Sequence, residues 1–205
     1  MKLFLNLFAI IFLPTSVFAA PIRPLLGLGL GFGGDSVVKA YYQNGTESEI
    51  KAGDGVSFYG GAVTRLWQQS EHLIDLQATL GYKFKSTKAA TNGEFSFSKV
   101  PVDILGLYRH KQYKFRGGVG ITYHLGNKFS GTGVVSNYTA DVDNALGFVL
   151  QGDYLLGFLE NMAIGLRFES IKYTFKAPSF PAQDLKGDNI GFYFQYVFGS
   201  DEASS

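Results

Sequence analysis

The stretch "LIDLQATLGYKFK", from Leu73 to Lys85, alternates apolar and polar residues with a period of two. A β-strand points successive side chains to opposite faces, whereas a helix would mix the two sets. One face of the segment carries Ile74, Leu76, Ala78, Leu80, Tyr82 and Phe84, and the other carries Asp75, Gln77, Thr79, Gly81, Lys83 and Lys85. The pattern therefore predicts a strand with one apolar and one polar face.

The same alternation recurs along the chain and predicts eight strands. They cover residues 25–33, 56–67, 73–85, 95–108, 112–125, 145–155, 162–175 and 189–198. The connections after the second, fourth and sixth strands are short. Longer connections, at 34–55, 86–94, 126–144 and 176–188, are rich in Gly, Ser, Asn, Thr and Asp. The sequence contains no internal repeat and no linker, which indicates a single domain.

Two architectures use eight such strands, and they differ in where the apolar faces point. A soluble β-sandwich hides them inside and leaves the charged faces in water. A membrane barrel turns them outward to lipid and encloses the charges. Segments of about ten residues, aromatic residues near segment ends and alternating short and long connections favour the barrel. We therefore predict an all-β, transmembrane up-and-down antiparallel β-barrel, with the sandwich as the alternative.

The first predicted strand lies in "LLGLGLGFGGD", Leu25 to Asp35, which also contains the G-x-G-x-x-G pattern of dinucleotide-binding loops. That loop requires a following helix, and the next residues are β-branched and aromatic. Strand alternation instead places Leu26, Leu28, Leu30 and Phe32 on the lipid face, and Gly27, Gly29, Gly31 and Gly33 on the lumen face. The glycines either admit bulky side chains from other strands or leave a narrow passage.

The first 19 residues read as a cleaved signal peptide. Lys2 precedes an apolar run that ends at Leu13, and "SVFAA" supplies small residues for cleavage. This divides the chain into a signal peptide at 1–19, a barrel at 20–198 and a short tail at 199–205. The chain has no cysteine, and its net charge of +1 becomes 0 without Lys2. That balance argues against a nucleic-acid partner.

The lumen of an eight-stranded barrel has room for side chains and little else. Charged residues on the inward faces should pair there, because an unpaired buried ion costs several kcal/mol. The predicted polar cluster consists of Arg65, Asp75, Asp103, Lys114, Arg116, Asp153, Arg167 and Glu169. The favoured interpretation is a set of salt bridges that fills the lumen. The alternatives are pairs that exchange partners and open a narrow ion path, and a catalytic role.

No catalytic, cofactor or metal site emerges from the motifs. A lipid-modifying enzyme of the outer leaflet needs a serine with a histidine base. His72 and His110 fall in the short connections, and His124 points inward with no serine two residues on. The acidic fragment from Asp141 to Asn144 lacks the glycine and distal glutamate of a calcium loop. We predict a protein that is not an enzyme.

The last predicted strand contains "NIGFYFQY", Asn189 to Tyr196, which fits the polar-x-Gly-x-x-aromatic-x-aromatic pattern that closes bacterial outer-membrane barrels. With its eight strands and leader, the chain resembles the small eight-stranded outer-membrane proteins, the group that includes the OmpA membrane domain, OmpX and OmpW. The resemblance implies a bacterial outer-membrane location, contact with its lipid and lipopolysaccharide, and insertion machinery that reads Asn189–Tyr196. It leaves open a structural or surface-interaction role, with an extracellular ligand for the long loops, and a narrow channel for ions or small apolar compounds.

Overall fold

The computed structural model describes residues 21–41, 47–88, 93–132, 138–156, 161–177 and 180–199. The predicted signal peptide and nearly all of the tail lie outside these residues. These residues form twelve strands, in chain order β1 Arg23–Phe32, β2 Ser36–Tyr41, β3 Glu47–Lys51, β4 Gly55–Gln69, β5 His72–Lys88, β6 Glu94–His110, β7 Phe115–Thr132, β8 Tyr138–Val142, β9 Ala145–Leu155, β10 Met162–Ala177, β11 Phe180–Lys186 and β12 Asn189–Val197. Among the described residues, no helix is long and apolar enough to cross a membrane.

Eight of these strands form a closed ring. Every neighbouring pair in the order β1, β4, β5, β6, β7, β9, β10, β12 is antiparallel, and β12 pairs back onto β1. The closing seam runs from Leu25 opposite Val197 to Phe32 opposite Ile190. Ring closure excludes the sandwich alternative and confirms the predicted eight-stranded up-and-down antiparallel barrel.

The two ends of the barrel differ. One end, called the short-turn end here, holds the connections from β4 to β5, β6 to β7 and β9 to β10. Leu25 pairs with both Val197 and Gly61, so the first and last ring strands begin and end at the same end. The opposite end is called the long-loop end.

Much of the long-loop end is strand, where the alternation predicted only loops. The connection 34–55 contains the β2–β3 hairpin, and 176–188 contains β11 paired with β10. Strand β7 continues to Thr132, and β8 pairs with β7 and β10. These pieces are too short, or too irregular in register, for a period of two to be recognised over them.

The outer wall is apolar over one continuous band. On β9 the outward residues are Leu146, Phe148, Leu150, Gly152 and Tyr154. On β10 the outward series Ile164, Leu166 and Phe168 gives way to Ser170 and Lys172 towards the long-loop end. The same change occurs on β5 after Phe84, where Ser86 and Lys88 follow. The apolar surface is therefore a belt with a polar rim above it.

The inside of the barrel is only partly polar. Leu105, Leu107 and Val149 form one buried apolar cluster, and Leu25, Val63 and Val197 form another against Tyr59. Apolar side chains therefore share the inner face with the charged ones. Small inward residues such as Gly118 and Gly120 explain this, because Leu107 and Leu105 lean into the space that their missing side chains leave.

Candidate functional site: the charged lumen

Arg167 is the hub of the central ion network. Its guanidinium lies 2.8 Å from an Asp103 carboxylate oxygen and donates to Glu169 at 2.9 Å. Thr79 also donates to Asp103, at 3.1 Å. Strands β5, β6 and β10 supply these residues, so the network links both sides of the ring across the lumen.

Glu169 is shared among three donors. Besides Arg167, Lys83 donates to it at 3.2 Å and the Asn189 side-chain amide at 2.8 Å. Lys83 also donates to the side-chain Oδ1 of Asn189 at 3.3 Å. A carboxylate buried in a low-dielectric lumen needs this degree of compensation, because an unpaired one would cost several kcal/mol.

Two further pairs occupy the lumen. Arg116 and Asp153 approach to 2.7 Å, and Tyr193 donates to the same carboxylate at 2.5 Å. Arg65 and Asp75 lie 3.0 Å apart, and the Arg65 side chain keeps 13% of its surface exposed. The structure thus brings seven of the eight predicted residues into ion pairs.

Lys114 is the exception, and its placement in the lumen was wrong. It lies in the turn before β7 and is exposed. The predicted strand began before β7 does, and side chains in the turn that precedes β7 do not alternate between two faces. The inward series of that strand begins at Arg116.

The prediction omitted two buried lysines that the structure places side by side. Lys83 and Lys99 lie opposite each other on β5 and β6, and both point inward. Lys83 was visible on the polar face of its strand. Lys99 was not, because the alternation of β6 is weak around it.

The Lys99 ammonium group is fully buried and donates to the Ala52 carbonyl oxygen. It also lies 4.6 Å from the centroid of the Phe97 ring and 5.3 Å from that of Tyr173. Both distances fall within the range of a cation–π contact. Lys99 therefore ties the inside of the barrel to the connection that follows β3.

That connection lies at the long-loop end. We call β2, β3 and the turn Ala52–Asp54 the hairpin cap. Ile50 and Ala52 of the cap are fully buried and pack into a cluster with residues of the extended strands, including Phe97, Phe129, Ile171 and Tyr173. Backbone hydrogen bonds from Ala52 to Asp35 and from Gly53 to Gly33 fix the turn. A buried apolar cluster thus lies at this end of the barrel.

The glycines of β1 admit side chains from the facing wall. A side chain at Gly27 would meet the Tyr59 ring at 2.1 Å, and one at Gly31 would meet the Lys83 ammonium at 2.8 Å. Gly27, Gly29 and Gly31 point inward as predicted. Gly33 does not, because it lies beyond β1 in a turn with a φ of 130°, a conformation that favours glycine.

A small cavity of about 40 Å³ remains beside this wall, lined by Ser57, Tyr59, Arg167 and Glu169 among others. A cavity of roughly 10–15 Å³ already holds one water molecule. This space therefore fits a few waters between the ion pairs.

The remaining candidate groups have ordinary partners. His124 is fully buried, and its Nδ1 is 2.5 Å from the Tyr173 hydroxyl. Ser130 bonds to the Ser96 hydroxyl at 2.8 Å. In the acidic fragment, Asp143 pairs with Lys176 at 2.7 Å. In the part of the chain that the structure covers, no group of three or more His, Cys, Asp or Glu residues could hold a metal ion.

No family model and no curated protein matches the sequence. Solved structures do match in overall fold. Ail, the attachment invasion locus protein of Yersinia pestis in complex with sucrose octasulfate, is 10% identical with a TM-score of 0.49, over 86% of this chain and 97% of Ail. Neisserial surface protein A is 13% identical with a TM-score of 0.46, over 86% and 97%.

The outer membrane protein OprG from Pseudomonas aeruginosa is 14% identical with a TM-score of 0.42, over 88% of this chain and 97% of that protein. At these identities the fold assignment rests on the strand ring itself. The chain is a closed eight-stranded antiparallel β-barrel, similar to small outer-membrane proteins.

Proposed function

We propose that the chain is an integral β-barrel protein of the bacterial outer membrane, with a closed lumen and a structural or surface-interaction role. One observation carries the proposal: the barrel is inverted, with a continuous apolar belt outside and paired charges inside. Leu28, Leu150 and Phe192 are 49%, 43% and 64% exposed, while Asp153 and Lys99 are 3% and 0% exposed. In water this arrangement would expose the apolar surface and bury the ions, whereas lipid stabilises it.

The lengths of the connections give the orientation of the barrel in the membrane. Outer-membrane barrels have short periplasmic turns and longer extracellular loops. The short-turn end therefore faces the periplasm in this proposal. The start of β1 and the end of β12 lie at that end. The last strand, with Asn189–Tyr196, would be read by the insertion machinery before it closes the seam with β1.

The filled interior favours a structural role over conduction. Seven charged residues of the predicted cluster are ion-paired, and Lys83 joins them. The hairpin cap fills the long-loop end with buried apolar side chains. An ion path would have to break these pairs and displace the cap, so the channel remains the second candidate.

The surroundings of the histidine in the lumen argue against an enzyme. His124 uses Nδ1 for Tyr173, and its Nε2 has no hydrogen-bond partner among the described residues. Its burial separates it from the outer leaflet, where a lipid substrate would lie. We therefore propose no catalytic activity.

The extended strands at the long-loop end are the proposed recognition surface. Two pairs of opposite charges lie close together on its outer side: Lys172 lies 2.6 Å from Asp184, and Lys176 lies 2.7 Å from Asp143 in the connection after β8. A surface of paired charges favours a ligand with mixed polar character over a polyanion.

Site-directed spin labelling tests the proposal, and the absence of cysteine allows single labels without background. Labels at Leu150, Gln151 and Ser86 would sample the belt, the lumen and the rim in protein refolded into lipid vesicles. We expect the label at Leu150 to collide with oxygen dissolved in lipid, and the label at Ser86 with a water-soluble nickel chelate. The label at Gln151 should meet neither. Equal access of the chelate to Leu150 and Ser86 would overturn the membrane location.

A further inference from the structure

Two histidines meet on the outer wall at the short-turn end. His72 is the first residue of β5, His110 is the last of β6, and the two lie directly opposite each other in the antiparallel pair. Their ring centroids are 4.9 Å apart, with the ring planes at 89°. Both rings are accessible, since they lie on the outward face beside the turn.

We propose that this pair is a binding site for a divalent transition-metal ion of the class that prefers imidazole, such as Cu²⁺, Ni²⁺ or Zn²⁺. Neutral imidazole is a common ligand of these ions, and Cu²⁺ binds tightest in their series. The site does not depend on the membrane proposal, because it uses only the strand register and the two rings.

The ring separation fits a shared ion. A metal at roughly 2.0–2.1 Å from a ring nitrogen lies about 3.2 Å from the ring centroid. Two such rings, with N–metal–N angles of about 90–110°, have centroids about 4.5–5.2 Å apart. The observed 4.9 Å lies within this range.

The surroundings prepare His72 for metal binding. Its Nδ1 is 2.7 Å from the Tyr108 hydroxyl. A metal-ligating histidine commonly donates its second N–H to an oxygen, which fixes the tautomer and the ring orientation. With Nδ1–H donating to Tyr108, the lone pair of Nε2 is free for the ion.

His110 must change its tautomer to take part. Its Nδ1 accepts a hydrogen bond from the Gln112 backbone N–H at 3.2 Å, so Nε2 carries the proton. Metal binding moves the proton to Nδ1 and exchanges the Gln112 contact for water, which the exposed turn allows. Among the described residues, no third histidine, cysteine or carboxylate completes a cluster. Water therefore fills the other coordination positions.

Cu²⁺ titration of the refolded barrel, prepared without a polyhistidine tag, tests the proposal by EPR. The variants are His72→Phe, His110→Phe and both together, which keep an aromatic ring at each position. His124 stays in all of them and is buried. We expect one ion per barrel with hyperfine coupling from two nitrogens. Each single variant should bind Cu²⁺ at least tenfold more weakly. The double variant should show only the background EPR signal of Cu²⁺ bound at the N-terminal amine.

Two further results complete the test. The backbone amide resonance of Gln112 should shift when diamagnetic Zn²⁺ is added to the wild-type protein, and should not shift in His110→Phe. Millimolar Mg²⁺ should not displace the ion, because Mg²⁺ prefers oxygen ligands. The proposal is wrong if either single variant keeps its affinity within twofold, or if the double variant still shows two coupled nitrogens.

Discussion

Arg116 and Asp153 lie opposite each other on β7 and β9. The Arg116 guanidinium donates to the Asp153 carboxylate through two nitrogens, from Nη2 at 2.7 Å and from Nε at 3.0 Å. Such bidentate pairs are the stronger form of arginine–carboxylate contact. Tyr193 donates to the same carboxylate from β12, which is separated from β9 by β10. Three strands are thus tied through one buried carboxylate.

Loss of one partner of this pair should be costly. Arg116→Ala or Asp153→Ala leaves a buried charge without its counter-ion, and each should lower the free energy of unfolding by about 3–5 kcal/mol. The double variant Arg116→Met with Asp153→Leu removes both charges and should recover most of the loss. Urea unfolding in lipid vesicles, followed by the fluorescence of the single Trp67, measures these changes. A loss below about 1 kcal/mol in both single variants would show that water already solvates the pair.

Gly27 and Gly152 form a matched pair of glycine tests. Gly27→Ala drives a methyl group into the Tyr59 ring and should cost about 1–3 kcal/mol in unfolding free energy. Gly152 lies on the outer wall with open space around it, so Gly152→Ala should be neutral or stabilising. Adding Tyr59→Val to Gly27→Ala should restore part of the loss. Equal effects at the two glycines would contradict the close contact between β1 and Tyr59.

The hairpin cap should open when its buried anchors are removed. Ile50→Ser places a hydroxyl in an apolar cluster, and Lys99→Met removes the hydrogen bond to Ala52. Both changes should expose the cap to trypsin and speed cleavage at Lys51 at least tenfold, while the ring strands stay protected. Glu47→Gln, at an exposed position on the same hairpin, is the control and should cleave at the wild-type rate. Unchanged cleavage in both anchor variants would mean that the cap is held elsewhere.

The apolar belt predicts that a charge placed on the outer wall lowers stability by an amount that depends on its depth in the bilayer. Leu150→Arg places a charge on the lipid face and should lower stability by about 2–4 kcal/mol if it lies near the bilayer midplane. Ser86→Arg, on the polar rim, should change stability by less than about 1 kcal/mol. The free energy of unfolding of the two variants is compared in lipid vesicles. Equal effects of the two substitutions would contradict a belt that faces lipid.

The β10–β11 hairpin carries a carboxylate that should respond to pH. A hydrogen bond from Lys172, followed by one from Thr174, holds the pKa of Asp184 below its usual value. A lowered carboxyl pKa stabilises the hairpin above the unfolded pKa, and this contribution is lost as pH falls through the folded value. Lys172→Ala should raise the pKa of Asp184 towards its ordinary range, as measured by NMR titration. An unchanged titration would indicate that the contact does not persist in solution.

The sequence predicts most of the ring because side-chain alternation reports directly on which face is buried. The period alone points Asp75, Arg116 and Asp153 to the inner face, and all three are buried in the structure. It fails where the period stops, as at Lys114 in a turn. It also fails where an apolar side chain points inward, as Leu107 does because Gly118 leaves room for it on the neighbouring strand.

The contacts at the long-loop end could not be predicted from the side-chain alternation for a different reason. Ala52 and Lys99 meet at the hairpin cap although they are far apart in the chain. Their contact depends on how the β2–β3 hairpin folds back over the ring, and no local pattern in the connection 34–55 encodes that direction. The same holds for Glu169 and Lys83, whose strands pair with different neighbours.

Planar-bilayer recording of the refolded wild-type protein tests the closed lumen most directly. The ion pairs around Arg167 and the hairpin cap predict a silent membrane, with no steady openings at any moderate voltage. Steady and reproducible openings from the wild-type protein would contradict the closed lumen and would favour the narrow channel.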